Sequence, residues 1–309
     1  MTNGSDEPGG TAALLTWREL LAEVVAALEA AGFGGAALDA RRLVAQASGH
    51  DDTALVMHLG EHATERSVAH LDSMVQRRLA GEPLQYVLGS WGFRSLDLFL
   101  DRRVLIPRPE TEQLVEVALA EYDRIAEARS ERDRSEPMTV VDLGTGSGAI
   151  ALSMAVERRT ADVWATDRSA DALAVARANL VGIGREAARV RVVEGSWFDA
   201  LPGELIGAVD VIVSNPPYVT DDDPLPVDVE SWEPAVALRA GPDGRRDLTL
   251  IVEGAPEWLR RGGSLVVELD PRQAEAVAEH MTVSGLVASV HHDLAGRERI
   301  VVGRSPAER

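Results

Sequence analysis

The sequence predicts an α/β protein: a mainly parallel sheet covered by helices on both faces, preceded by a small helical domain. Three observations carry this. Beyond Pro137, β-branched runs alternate with helical patterns, the signature of a parallel sheet wound with helices. Up to about Gly81, apolar residues recur at three- and four-residue spacing instead. A glycine-rich loop, DLGTGSGAI, joins the first strand of the alternating region to a helix.

Taken in order, residues 1–12 (MTNGSDEPGGTA) read as a disordered tail without the basic start and apolar middle of a signal peptide. Residues 13–82 carry the helical patterns LLTWRELLAEVVAALEAAG, ALDARRLVAQASG and RSVAHLDSMVQRRLAG, with Thr16 and Glu19 spaced as a capping box. Residues 83–109 change character. QYVLG, WGFRS and LDLFL are short and aromatic or β-branched, as in a hairpin, and VLIPRP is extended because each proline disfavours helix before it. This stretch reads as a hairpin and linker. From 110 to 309, a helix entered through Pro109 is followed by a charged loop and then by the strands MTVVDL, ADVWATD, RVRVVEG, VDVIVSN, GSLVVELD, ASVHHD and RERIVVG.

With 309 residues and 45% hydrophobic content, the chain is long enough for one large core and better suited to two domains. It contains no cysteine, which removes disulfides and thiolate chemistry. It contains no lysine either, so all 31 basic residues are arginine, and Schiff-base and Walker-type phosphate chemistry are excluded. A formal charge of −19 argues against binding a nucleic-acid polyanion and favours a protein or small-molecule substrate. No run of eighteen apolar residues exists, and the expectation is a cytoplasmic protein.

The glycine loop supplies the first candidate residues. Gly144, Gly146 and Gly148 let the backbone turn sharply and approach a ligand, with Thr145 and Ser147 between them, while helix-start amides face polar groups. Gly144, Gly146 and Ala149 also satisfy a dinucleotide fingerprint, so the loop alone does not choose a cofactor. Asp167, ending the next strand, is placed to take both hydroxyls of a ribose, although an exposed strand-end acid is the plain alternative.

The second motif, SNPPY, follows the fourth strand of the repeating region and so lies on the same sheet edge. Two prolines fix φ and withhold two amide donors, leaving a stiff segment of oriented acceptors. Such an array suits a planar –NH₂ group, whose delocalised lone pair makes it a poor nucleophile. If the Asn215 side-chain oxygen and the Pro216 carbonyl each accept one of its hydrogens, the nitrogen is aimed at a bound electrophile. Pro217 stiffens the segment, and Tyr218 lies against the flat face and excludes water. Positioning of this kind supplies about 7–11 kcal/mol in favourable cases. The tetrapeptide therefore favours S-adenosylmethionine over NAD.

GEPLQYVLGSWGF, VLIPRPETEQLVE, VVDLGTGSGAIAL, ATDRSADALAVARANL, SWFDAL, VIVSNPPYV, EPAVAL and DLAGRERIVVG occur in the order found in the bacterial release-factor glutamine methyltransferases (PrmC/HemK), and nearly the whole chain resembles that family. The resemblance implies a Rossmann-like class I S-adenosylmethionine-dependent methyltransferase domain. It implies cofactor bound by residues 144 to 148, Asp167, Trp197 and Asn215, with Asn215, Pro216, Pro217 and Tyr218 holding the substrate glutamine. Trp197 suits an apolar wall for adenine, and an ordinary core tryptophan nearly as well. Ser196 stands where the family's usual acid precedes that tryptophan, which weakens the expectation of adenine amino recognition.

The implied substrate is the glutamine of a Gly-Gly-Gln tip in class-I peptide chain release factors, with the N-terminal helices as a docking module or as simple packing. A monomer without nucleic-acid or membrane contact is expected. Alternatives are a ribosomal-protein glutamine methyltransferase, an adenine-amino methyltransferase of DNA or RNA, and a non-catalytic cofactor-sensing docking protein.

Other features carry less. His58, Glu61 and His62 spell a zinc-peptidase pattern, but Gly60 interrupts any helix there, and no metal is expected. His291 and His292 sit in a strand and point to opposite faces. TDDDPLP reads as a solvated loop, or as a recruiter of a basic substrate surface. Asp142, Glu233 and Glu268 are either orienting groups or ordinary strand-end acids and caps.

Overall fold

The structure, a computed structural model, describes residues 15–129 and 136–307. The expected tail over 1–12 and most of the charged loop after Ala128 lie outside the described residues. The chain divides into two compact units, residues 1–88 and 89–309.

The first unit is helical: α1 (Trp17–Ala30), α2 (Ala36–Ser48), α3 (Asp52–His58), α4 (Glu65–Leu79) and α5 (Leu84–Leu88). The capping box forms, with Thr16 accepting from the Glu19 amide while the Glu19 carboxylate accepts from that of Thr16. Leu20, Val24 and Leu28 of α1, Leu43 and Val44 of α2, and Leu71 and Met74 of α4 are buried at helical spacing. QYVLG, expected as strand, is helical instead. The Pro83 carbonyl accepts from the amides of Tyr86 and Val87, and the Arg77 guanidinium donates to the carbonyls of Tyr86 (2.8 Å) and Val87 (3.1 Å). Five residues are too few for periodicity to tell the two apart.

The second unit opens with the hairpin β1 (Ser90–Phe93) and β2 (Leu96–Phe99), as expected from WGFRS and LDLFL. It does not behave as a free linker. Arg94 at its turn pairs with Glu157 (2.6 Å) and Glu116 (2.9 Å), and Asn179 exchanges two hydrogen bonds with Phe99. Next comes α6 (Pro109–Ala128), with Pro109 in its first turn, where the missing N–H costs nothing.

The sheet and its helices follow in alternation: β3 (Met138–Leu143), α7 (Ala149–Glu157), β4 (Ala161–Asp167), α8 (Ala170–Ile183), β5 (Val190–Glu194), β6 (Val209–Ser214), α9 (Val227–Trp232), α10 (Arg246–Trp258), β7 (Leu259–Glu268), α11 (Ala274–Val283), β8 (Val287–His292) and β9 (Glu298–Arg304). Strand order is β5-β4-β3-β6-β7-β9-β8, parallel from β5 through β7, with β9 antiparallel to both of its neighbours. Val140, Val141, Val211, Ile212 and Val213 are fully buried, as strands covered on two faces require. The chain winds one way from β3 to β4 and β5 and the other way to β6 and β7. The β3–β6 junction is thus a topological switch point, where open α/β sheets place their ligands.

Candidate functional site

A cleft opens at the carboxyl ends of β3, β4 and β6, lined by residues of the second unit alone. The strand-to-helix turns explain its shape. After β3 the chain reverses through Gly144 and Gly148, with φ of 75° and 86°, a region that side chains rarely adopt. A Cβ on Gly144 would stand 3.2 Å from the Trp197 ring, so glycine also permits the indole to close down on the loop. Asp142 holds the turn from beneath: its Oδ2 accepts from the Thr145 hydroxyl (2.6 Å) and the Ala151 amide (3.1 Å). Burial raises the Asp142 carboxyl to about 7, and its Oδ1 has no partner among the described residues.

The Asp167 carboxylate points at the glycine loop, one oxygen accepting from the Gly146 amide (3.0 Å) and the other from that of Ser169 (2.9 Å). Each oxygen keeps a lone pair for hydroxyl donors, and Asp167 lines the cleft. Trp197, held at φ 47°, supplies a flat apolar wall beside Gly144. Loop amides, acid and indole suit the hydroxylated, flat and polar parts of a nucleoside ligand.

Across the cleft, Asn215 follows β6 directly. Its Nδ2 donates to Thr111 Oγ1 at 3.0 Å, and both residues line the cleft. Behind them Tyr218 donates its hydroxyl to Glu268 Oε1 at 3.4 Å, while its carbonyl accepts from Gln273 Nε2 at 3.1 Å. Burial, and then the nearby Glu268, raise the Tyr218 hydroxyl above its ordinary pKa, so it stays a neutral donor.

Among the residues expected at the site, Gly144, Thr145, Gly146, Ser147, Asp167, Trp197, Asn215 and Pro217 line this cleft. Ser196 lines it too. Gly148 sits behind it as the cap of α7, and Pro216 is buried. Tyr218 is partly buried against the core that includes Leu265 and Val267.

Two further segments build the cleft. VLIPRPET contributes Val104, Leu105, Pro107 and Thr111 to the cleft, and EPAVAL contributes Pro234, Val236 and Ala237. Glu233 binds them together: its carboxylate accepts from the Ile106 amide (3.2 Å) and pairs with Arg108 (2.6 Å). EPAVAL is tied in turn to the asparagine segment, since the Val219 amide donates to the Leu238 carbonyl (2.9 Å) and the Ala240 amide to that of Val219 (2.9 Å). A polar residue two places inside a helix start, and an acid before a proline, were the available signals for Thr111 and Glu233.

The zinc-like spelling resolves differently from its letters. His58 Nδ1 lies 2.7 Å from Glu61 Oε1 and its ring stacks on that of His50, not His62. His50, His58 and Glu61 could hold a metal ion with ligand atoms within 4.8 Å of one another, but they belong to the first unit. In the acidic loop, Asp223 pairs with Arg272 (2.6 Å), leaving Asp221 and Asp222 exposed.

Comparison with known proteins agrees with this architecture. Residues 19–89 match the family model described as the PrmC N-terminal domain, and residues 130–227 match that of the methyltransferase small domain. The chain is 40% identical to a release factor glutamine methyltransferase of Cereibacter sphaeroides, over 94% of this chain and 98% of that one. It is 38% identical to a protein of the same name from Deinococcus radiodurans, over 93% and 98% of the two chains. It is also 32% identical to a bifunctional methyltransferase of Rickettsia felis, covering 57% of that longer protein.

Proposed function

The chain belongs to the release factor glutamine methyltransferase family, and from that premise we propose that it transfers a methyl group to the side-chain amide nitrogen (N5) of the glutamine in the Gly-Gly-Gln tip of class-I peptide chain release factors. The observation that carries this reading is the placement of Asn215, on stiff backbone at the end of a buried strand, facing the glycine loop across one cleft.

S-adenosyl-L-methionine supplies an electrophilic methyl on a sulfonium sulfur and leaves as S-adenosyl-L-homocysteine. Asp167 takes the ribose hydroxyls, Trp197 covers the adenine, and the backbone from Gly144 to Gly148 accommodates the remaining polar groups. Asn215 and the Pro216 carbonyl accept the two amide hydrogens of the glutamine. Pro217 keeps that segment rigid, and Tyr218 shields the amide from water. The work asked of the protein is orientation, because an amide nitrogen held in line needs no strong base to begin the transfer; the N–C bond forms as the C–S bond breaks, and the displaced amide proton passes to water after the transfer.

The first unit is read as a docking module for the release factor, and the protein as a cytoplasmic monomer that does not bind nucleic acid directly. Among the described residues no helix is long and apolar enough to cross a membrane.

The test is incubation of the purified chain with S-adenosylmethionine carrying a radiolabelled methyl, together with either a release factor or unmethylated DNA. Label in the release factor is expected. Label in DNA alone overturns the reading in favour of an adenine-amino methyltransferase, and cofactor binding without label in any acceptor overturns it in favour of a docking protein.

A further inference from the structure

His58, Glu61 and His62 spell a metal-binding pattern that the backbone between them does not build, yet two of the three meet another histidine in space. His50 lies in the loop before α3, His58 ends that helix, and Glu61 stands in the turn that follows. The His50 and His58 rings stack with centroids 4.1 Å apart and planes inclined by 10°, and His58 Nδ1 lies 2.7 Å from Glu61 Oε1. One ligand atom from each of these residues lies within 4.8 Å of the other two. His62 does not join them; it pairs with Thr16 in an isolated antiparallel bridge.

The backbone at all three positions is held without help from an ion. The His50 amide donates to Ser48 Oγ (3.3 Å), and the Glu61 amide donates to the His58 carbonyl (3.0 Å), which folds the carboxylate back toward the ring. The carbonyls of Glu61 and Leu59 accept from the amides of Trp17 (3.0 Å) and Arg18 (2.9 Å), so the turn is docked on the start of α1. Only side chains have to adjust. Ligands about 2.1 Å from a tetrahedral ion stand about 3.4 Å from one another, so closing the set takes shifts of roughly 1 Å. Stacked rings aim their in-plane lone pairs side by side, and turning one imidazole about its χ2 makes them converge. Both histidines are half-buried and Glu61 is exposed, which leaves an entry path and room for water to complete the coordination.

Two imidazoles and a carboxylate form a ligand set for a borderline divalent ion such as Zn²⁺. Mg²⁺ and Ca²⁺ need a shell of oxygens, and of the three residues Glu61 alone brings a side-chain oxygen. We propose that His50, His58 and Glu61 form a surface site for a zinc-type divalent ion. An ion held there clips the loop before α3 to the turn after it. With seven residues, α3 is too short to hold its shape by local hydrogen bonds alone, and it carries Val56 and Met57, 58% and 79% exposed. Binding therefore stiffens a segment that presents apolar side chains to solvent. The site lies wholly in the first unit and does not rest on the methyl-transfer reading.

The test titrates the full chain, free of any histidine tag, with ZnCl₂ by calorimetry, and follows hydrogen exchange of the α3 amides with and without the ion. One Zn²⁺ per chain is expected, undisturbed by a large excess of Mg²⁺, with slower exchange over α3. His50→Ala and His58→Ala should each weaken binding by more than ~10-fold, since even groups that merely orient a ligand contribute that much. Glu61→Gln, a change at an exposed side chain that leaves packing alone, should weaken it as well. His62→Ala should leave it unchanged.

The absence of a saturable one-to-one site overturns the proposal. So does zinc affinity that survives in any of the first three variants, which marks an adventitious ion held elsewhere. Equal losses in His62→Ala and His58→Ala overturn the assignment in favour of the spelled pattern, and α3 exchange that zinc does not slow overturns the clip.

Discussion

Asn215 presents one polar side chain where the backbone cannot move, and its neighbours in sequence explain why it was legible. Four consecutive residues carry the asparagine, the stiffness and the aromatic cover, so no long-range contact had to be guessed. Asn215→Ala should keep the fold and lose roughly 10²–10³ in kcat, the usual cost of deleting one preorganised polar contact; near-normal turnover would contradict its role. Asp167 was equally visible, because glycine loop and acid lie one strand apart. Asp167→Ala should raise the cofactor Kd more than it lowers kcat at saturation, and the reverse pattern would count against ribose binding. Thr111 and Glu233 were not legible as parts of one site. The Arg108–Glu233 pair joins residues 125 positions apart, and nothing local to either predicts the other.

Strands and helices were readable to the extent that their patterns were long. The seven runs named from the sequence fall on β3 to β9, since buried β-branched stretches between helices admit few other readings. The place of β9 was not readable. It enters the sheet between β7 and β8, an order that depends on side-chain contacts across the sheet and not on local pattern. Part of what holds it there is Glu121 on α6, whose carboxylate accepts from Arg304 of β9 (2.6 Å), Ser264 of β7 (2.7 Å) and Arg124 (2.9 Å). Burial alone would raise that carboxyl, but these donors outweigh it and hold it down at about 2. Because the folded value is depressed, its stabilisation is complete above the ordinary value of 4.5 and is lost as pH falls toward 2. Glu121→Gln should destabilise the protein by about 1–3 kcal/mol at neutral pH and flatten the acid limb of its unfolding curve. An unchanged denaturation midpoint at both pH 7 and pH 3 would contradict this account of how α6 holds the sheet.

At the scale of the whole chain, the formal charge of −19 and the absence of lysine were plain from composition, the first bearing on partner choice and the second on the chemistry excluded. With TDDDPLP read as a recruiter of a basic substrate surface, such a surface approaching an acidic enzyme should be steered electrostatically. Raising ionic strength from about 0.01 M to 0.15 M shortens the screening length from about 30 Å to 8 Å. Over that range kcat/KM for the release factor should fall ~3- to 10-fold, while cofactor affinity changes little. Salt-independent kcat/KM would remove charge from the account of recognition. The central claim, that a stiff asparagine segment aims a carboxamide at a methyl donor, is tested most directly by mass mapping a release factor after incubation with S-adenosylmethionine and either the wild-type chain or Asn215→Ala. The account predicts one added methyl on the glutamine of the Gly-Gly-Gln tip with the wild type and almost none with the variant; a methyl on any other residue, or equal methylation by the two chains, would contradict it.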